Sequence, residues 1–266
     1  MKRNLRFILL LIKLKLSRMM MFRLSFFGAF FADGTLFLVQ LLTFSVIYGH
    51  VDSIGGWNRG QMLIFIGTFS MINGLNMSVF FFGVAGIPEK IKQGALDYYI
   101  TKPVNALLRL TFESVDPGSA PLVLISGVII SYGANAAGAP VTAPRALLYI
   151  ALVFMMTLLW YDMEVILRSL SFFFIVVSDI DPIDRLEGNL LALNFKIPGV
   201  IYKGAFKVLF YFVLPYGIMA TIPTQALSGT LTPFGFLQAL GVVVFFTAFT
   251  LWFWRFGLKH YKSASS

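Results

Sequence analysis

The chain of 266 residues contains no cysteine, which excludes disulfides, thiolate nucleophiles and cysteine-ligated metals. It has only two histidines, His50 and His260, and neither lies in an apolar run. Without more histidine, no Ser/His/Asp arrangement and no His/carboxylate cluster of metal-ligand spacing is found. No G-x-x-x-x-G-K-[ST] run occurs, which excludes a P-loop, and Gly55 to Gly60 (GGWNRG) does not match a dinucleotide loop. The chain is therefore not expected to be an enzyme or to bind a cofactor or metal of its own. Charge is scarce as well: 12% of residues are charged, against roughly 25% in soluble domains.

What the chain has is apolar surface. With 58% hydrophobic residues it could not cover its own core with polar groups, so it reads as an all-α polytopic membrane protein. One transmembrane domain over 1–266 is expected, with six spans near 24–48, 61–86, 117–137, 145–177, 206–227 and 234–256. The third is the least marked, since its unbroken run, Leu122 to Gly133, is short. The fourth is too long for a straight crossing. A helix over 145–177 measures about 50 Å, against a hydrocarbon core of about 30 Å, so its last third should bend or project. Pro215 and Pro223 fall in the fifth; such residues are tolerated where neighbours re-satisfy the freed backbone.

Residues 1–23 carry seven Lys and Arg. The apolar stretch Phe7 to Ile12 is too short for a signal peptide, and no small-residue cleavage site follows, so an interfacial helix is expected. Two polar islands interrupt the spans, 87–116 and 178–205. In the second, Asp181-Pro182 reads as a helix start and Ile183 to Phe195 as an amphipathic helix too polar to span. Six spans place both islands and both termini on one side, together with nineteen of the 21 Lys and Arg, leaving Arg59 and Arg145 on the other. The positive-inside rule makes the rich side cytoplasmic. The net charge of +9 is thus topological and lipid-directed, with no nucleic-acid partner implied.

Five polar residues within the spans are candidates for function: Asp33, Asn73, Asn76, Asp162 and Glu164. Such residues either hydrogen-bond between helices or line a substrate or proton path. Glu164 and Arg168, at i,i+4, can pair on one face, and Asp162 points away from them. Charges so near a helix end read first as an interfacial anchor. Two readings of function stand beside each other: a permease driven by a separate ATPase, and a self-contained ion-coupled carrier using these carboxylates. A non-transporting scaffold is a third. The large islands favour the first, and no internal repeat of the kind many carriers show is seen.

The stretch Gly94 to Val104, GALDYYITKPV, resembles the G-x-L-D-x-x-L-x-K-P-V signature of bacterial ABC type-2 transporter permeases, with Ile100 at the second Leu position. A second block is similar to the same family: PGVIY at Pro198 to Tyr202, then Leu214-Pro215, Ile222-Pro223 and LSG at Leu227 to Gly229. The resemblance implies a six-helix permease of the bacterial cytoplasmic membrane. It implies pairing with a second, identical or related permease and with two cytoplasmic ABC ATPase subunits that hold the ATP and Mg. Its usual direction is export of amphipathic or hydrophobic substrates. It also implies a coupling helix at Pro88 to Tyr99, ended by Lys102-Pro103. Its polar rim would be Glu89, Lys90, Lys92 and Asp97, although Gly94 and Pro103 are residues that bound or break helices in this stretch. Its contact core toward the ATPase would be Ile87, Ile91, Leu96 and Tyr98 or Tyr99. The segment after Thr221 would be re-entrant.

Overall fold

The computed structural model describes residues 23–138, 140–174 and 182–261. Most of the described residues are helical, and no strand occurs among them. The expected all-α membrane architecture is found. The expected interfacial helix falls on residues 1–22, outside the described residues.

Helix α1 covers Arg23–Ile47 and α2 Arg59–Asn76. A capping box starts α2: the Asn58 side chain accepts from Gln61 N (2.9 Å) and the Gln61 side chain from Asn58 N (3.0 Å). From α2 the chain runs on through a π-helical turn, Met77–Phe81, and one α turn, Phe82–Ala85, into α3, Ile87–Lys92. The run Arg59–Lys92 is 34 residues, about 51 Å at 1.5 Å per residue. That exceeds the hydrocarbon core by some 20 Å, so the charged end at Glu89, Lys90 and Lys92 stands clear of it. Three short helices form this end: α3, α4 (Asp97–Ile100) and α5 (Ala106–Phe112).

Helix α6, Ala120–Ala136, returns antiparallel along α2. Glycines spaced seven apart allow the approach. A Cβ at Gly60 would lie 2.1 Å from the Ala137 nitrogen, at Gly67 2.7 Å from the Ile130 side chain, and at Gly74 2.9 Å from the Val123 side chain. Helices in lipid associate through such close backbone packing, so the least marked of the expected spans is held by fit. Helix α7, Ala143–Ser169, packs on α2 through Thr68 with Tyr149 (2.9 Å between hydroxyls) and Phe69 with Trp160 (ring centroids 5.4 Å). A 3-10 turn, Leu170–Phe172, closes it, and Ala143–Phe172 runs as one helix of 30 residues.

Helix α8 covers Pro182–Lys196, close to the expected amphipathic segment. Next come α9, Gly204–Val208, α10, Tyr216–Met219, α11, Thr221–Leu227, and the last helix, α12, Pro233–His260. Among the described residues three helices are long and apolar enough to cross a membrane, Arg59–Lys92, Ala143–Phe172 and Pro233–His260, or four if the bent pair Gly204–Val213 and Tyr216–Leu227 makes one span.

Two segments depart from expectation. The stretch 206–227 is not one straight span: Gly204–Val213 and Tyr216–Leu227 meet at 81°. Pro215 has no N–H to continue the helix, and it drives Leu214 to φ −124°, ψ 76°. Past the bend the chain is buried almost throughout, whereas before it Phe206, Val208, Phe212 and Val213 are exposed. The second departure concerns the island 178–205, which does not keep to one end. At its start Glu187 meets Arg168, near the end of α7 (2.9 Å). At its close, Ile201 and Val200 pack on Gly55, in the loop at the opposite end of α2; a Cβ there would lie 3.0 Å from Ile201. The 15 residues of α8 rise about 22 Å, enough to carry the chain between these levels. Grouping Lys203 with the charges of 87–116 therefore does not hold in the structure.

Candidate functional site: a coupling hairpin and a buried polar layer

The hairpin α3–α4–α5 is built on its own small core. Ile87, Leu96 and Tyr99 pack with Val84, Leu107 and Leu110, and with Val165 of α7 and Trp254 of α12. Ile91 packs at its edge. Pro88 sits in the first turn of α3, where its missing N–H costs nothing. The expected single helix Pro88 to Tyr99 is instead two. Gly94 takes φ +71°, a left-handed conformation that ends α3 and turns the chain. Behind the hairpin, Gly83 lies so close to α5 that a Cβ would sit 2.3 Å from the Leu110 carbonyl oxygen.

The charged residues knit this end together. Lys90 ion-pairs with Glu113 (3.0 Å), and the Tyr99 hydroxyl donates to the same carboxylate (2.8 Å). Arg109 lies 4.4 Å from the ring of Tyr98 and 4.9 Å from that of Tyr99; Lys102 is 5.0 Å from Tyr98. Burial, with Glu113 as acceptor, holds the Tyr99 phenol well above its ordinary value. The Arg109 guanidinium beside exposed Tyr98 lowers that phenol. Asp97 lies beside Tyr261 at the end of α12, whose phenol burial and this carboxylate raise. Glu89, Lys92, Lys102 and Pro103 are exposed.

The expected contact core thus divides. Ile87 and Leu96 are fully buried within this chain and cannot face a partner, whereas Tyr98 (55% exposed) and Ile100 (45% exposed) can. Alternation of buried and exposed positions across a four-residue helix decided this, and hydropathy alone does not reveal it.

Above the hairpin lies a layer of buried polar side chains. Glu164 accepts from Asn76 Nδ2 (2.7 Å) and Trp160 Nε1 (3.1 Å). Arg168 ion-pairs with Glu187 rather than with Glu164. Asp162 turns to α12, accepting from the Thr247 hydroxyl (2.6 Å). All four charged groups are within 3% of complete burial, so they are not the solvated interfacial anchor that their place near a helix end suggested. Asn73 is half-buried and makes no side-chain hydrogen bond among the described residues. The side chain of Asp33 lies outside the described residues. The partner missed in sequence was Glu187, whose position on an amphipathic helix gave no sign of burial.

These observations, a membrane bundle with a rigid polar hairpin at one end, agree with a match to the family model described as ABC-2 family transporter protein, over residues 35–265. The chain belongs to the ABC-2 transporter family. As an ABC-2 family protein it is a membrane permease and not a catalytic enzyme, of a kind that generally works with an ABC ATPase. No curated protein and no solved structure matches it.

Proposed function

We propose that this ABC-2 permease is the membrane half of an ATP-driven exporter of amphipathic or hydrophobic substrates, in the cytoplasmic membrane of a bacterium. ATP is hydrolysed by a separate pair of cytoplasmic ABC subunits, and a second permease, identical or related, completes the pore. Its cluster of Lys90, Lys92, Lys102 and Arg109 puts the hairpin 87–112 on the cytoplasmic, ATPase side by the positive-inside rule. The observation that carries this reading is the welding of the hairpin to the spans. Because Ile87, Leu96 and Tyr99 share one core with Val165 and Trp254, a push on Tyr98 or Ile100 moves α2, α7 and α12 together. Packed elements of this kind shift as rigid bodies. Lys92, Lys102 and Glu89 give the face its polar rim.

The test is reconstitution of the permease with a cognate ABC ATPase. Stimulated ATP hydrolysis should fall toward the basal rate in Tyr98→Ala/Ile100→Ala, while membrane insertion is kept; unaltered stimulation would sink the assignment. A second reading, an ion-coupled carrier, draws on the buried carboxylates Asp162 and Glu164. Transport by the permease alone under a pH gradient, with no ATPase present, would favour it over the first.

A further inference from the structure

A groove of about 490 Å³ opens between α1, α2 and α6, at the end opposite the hairpin. Its walls include Leu38, Leu41 and Leu42 of α1, Met62 and Ile66 of α2, and Val128 of α6. Leu38 and Leu42 are more than half exposed, as is Val128, so the groove is open along its side. Its polar lining gathers at the loop end of α1: Ser45, Tyr48 and Arg59. Among the described residues the Arg59 guanidinium has one hydrogen bond, to the Ser45 hydroxyl (3.3 Å), and no carboxylate partner. It is therefore a cation at the mouth of an apolar slot.

The dimensions suit one occupant. From Leu38 to Tyr48 a helix rises about 15 Å, half of a hydrocarbon core of about 30 Å. The groove is one leaflet deep, with a positive charge where a headgroup would lie. We propose that it holds a single anionic phospholipid, an acyl chain between α1, α2 and α6 and the phosphate on Arg59. A zwitterionic lipid places the same chain there but brings a cation beside Arg59, so the site discriminates by headgroup charge. This inference needs only the placement of the chain in a membrane and is independent of the ATPase reading.

The experiment uses the full chain purified in mild detergent, with native mass spectrometry against phosphatidylglycerol and phosphatidylcholine of matched acyl chains. One retained phosphatidylglycerol is expected, favoured about fivefold over phosphatidylcholine, the scale of one basic residue near an anionic surface. Arg59→Gln should abolish that preference, Arg59→Lys should keep most of it, and Leu41→Trp, which fills the slot, should lower retention of both lipids. Equal retention of the two lipids by the wild type, or a preference that survives Arg59→Gln, would overturn the proposal. The chain has no cysteine, so Leu42→Cys tests the rival occupant. A disulfide joining two copies would mean that a second permease covers the groove, and would also overturn it. Failure by either route leaves the hairpin and its ATPase untouched, since those tests read other residues.

Discussion

Arg168→Met removes the guanidinium from a carboxylate that cannot reach water. Arg168 and Glu187 are 1% and 4% exposed at the side chain and meet at 2.9 Å. Removing one partner of such a pair costs about 3–5 kcal/mol, because the remaining charge stays buried. Replacing both by apolar groups of similar volume is often near neutral. Arg168→Met and Glu187→Leu should each destabilise by roughly that amount, and the double variant should recover most of the loss. The coupling energy of the cycle is then large and of compensating sign, well above the ~0.5 kcal/mol by which independent sites fail to add. Unfolding in mixed micelles of rising SDS content, followed by tryptophan fluorescence, measures it; Trp160 and Trp254 report from the core. Single variants within about 1 kcal/mol of wild type, or a double variant as unstable as the two losses summed, would refute the pairing and with it the seating of α8 against α7.

Three further outcomes are expected. Gly67→Val places side-chain atoms where even a Cβ lies 2.7 Å from Ile130; it should part α2 from α6 and cost about 2–4 kcal/mol, in the range of other severe packing errors, read as a lowered unfolding midpoint. Leu96→Ala empties a fully buried site and should cost about 2–5 kcal/mol, so its effect on the ATPase will accompany loss of stability, whereas Tyr98→Ala should uncouple at unchanged stability; equal thermal profiles for the two would contradict the division of the hairpin. Tyr99 binds its proton more tightly folded than unfolded, so its stabilisation is complete below about pH 10 and is lost as pH rises through the raised value; hydrogen exchange over 87–112 should quicken there, and less so in Tyr99→Phe.

Much of the architecture was legible in the residues. The runs that became α2, α7 and α12 are long and apolar, and Pro88, Gly94 and Pro103 mark the hairpin. Gly94 was read as a boundary, yet its consequence, two short helices in place of one, depends on the hydrophobic cluster that holds Leu96 inside. The bend at Pro215 was legible as a breaker but not as an angle, since 81° is set by what Tyr216–Leu227 packs against. The glycine stripe Gly60, Gly67, Gly74 stands openly in the sequence; a reading weighted to hydropathy passes over it, because glycine adds no apolar signal. Least legible was α8. Its polar face satisfied the pattern of a surface helix, and only Arg168, far from it in sequence, explains why Glu187 is inside. Arg59, too, counted in sequence merely as one of two basic residues on its side; the groove beside it exists only once α1, α2 and α6 are assembled.

The central claim, that the hairpin meets an ATPase through Tyr98 and Ile100, is tested most directly by cysteine cross-linking in native membranes. The cysteine-free chain permits single substitutions with no background. With the ATPase co-expressed and a short bifunctional thiol reagent added, Ile100→Cys should yield a covalent permease–ATPase product and Leu96→Cys none. A product from Leu96→Cys, or none from Ile100→Cys and Tyr98→Cys alike while the two proteins still co-purify, would contradict the account.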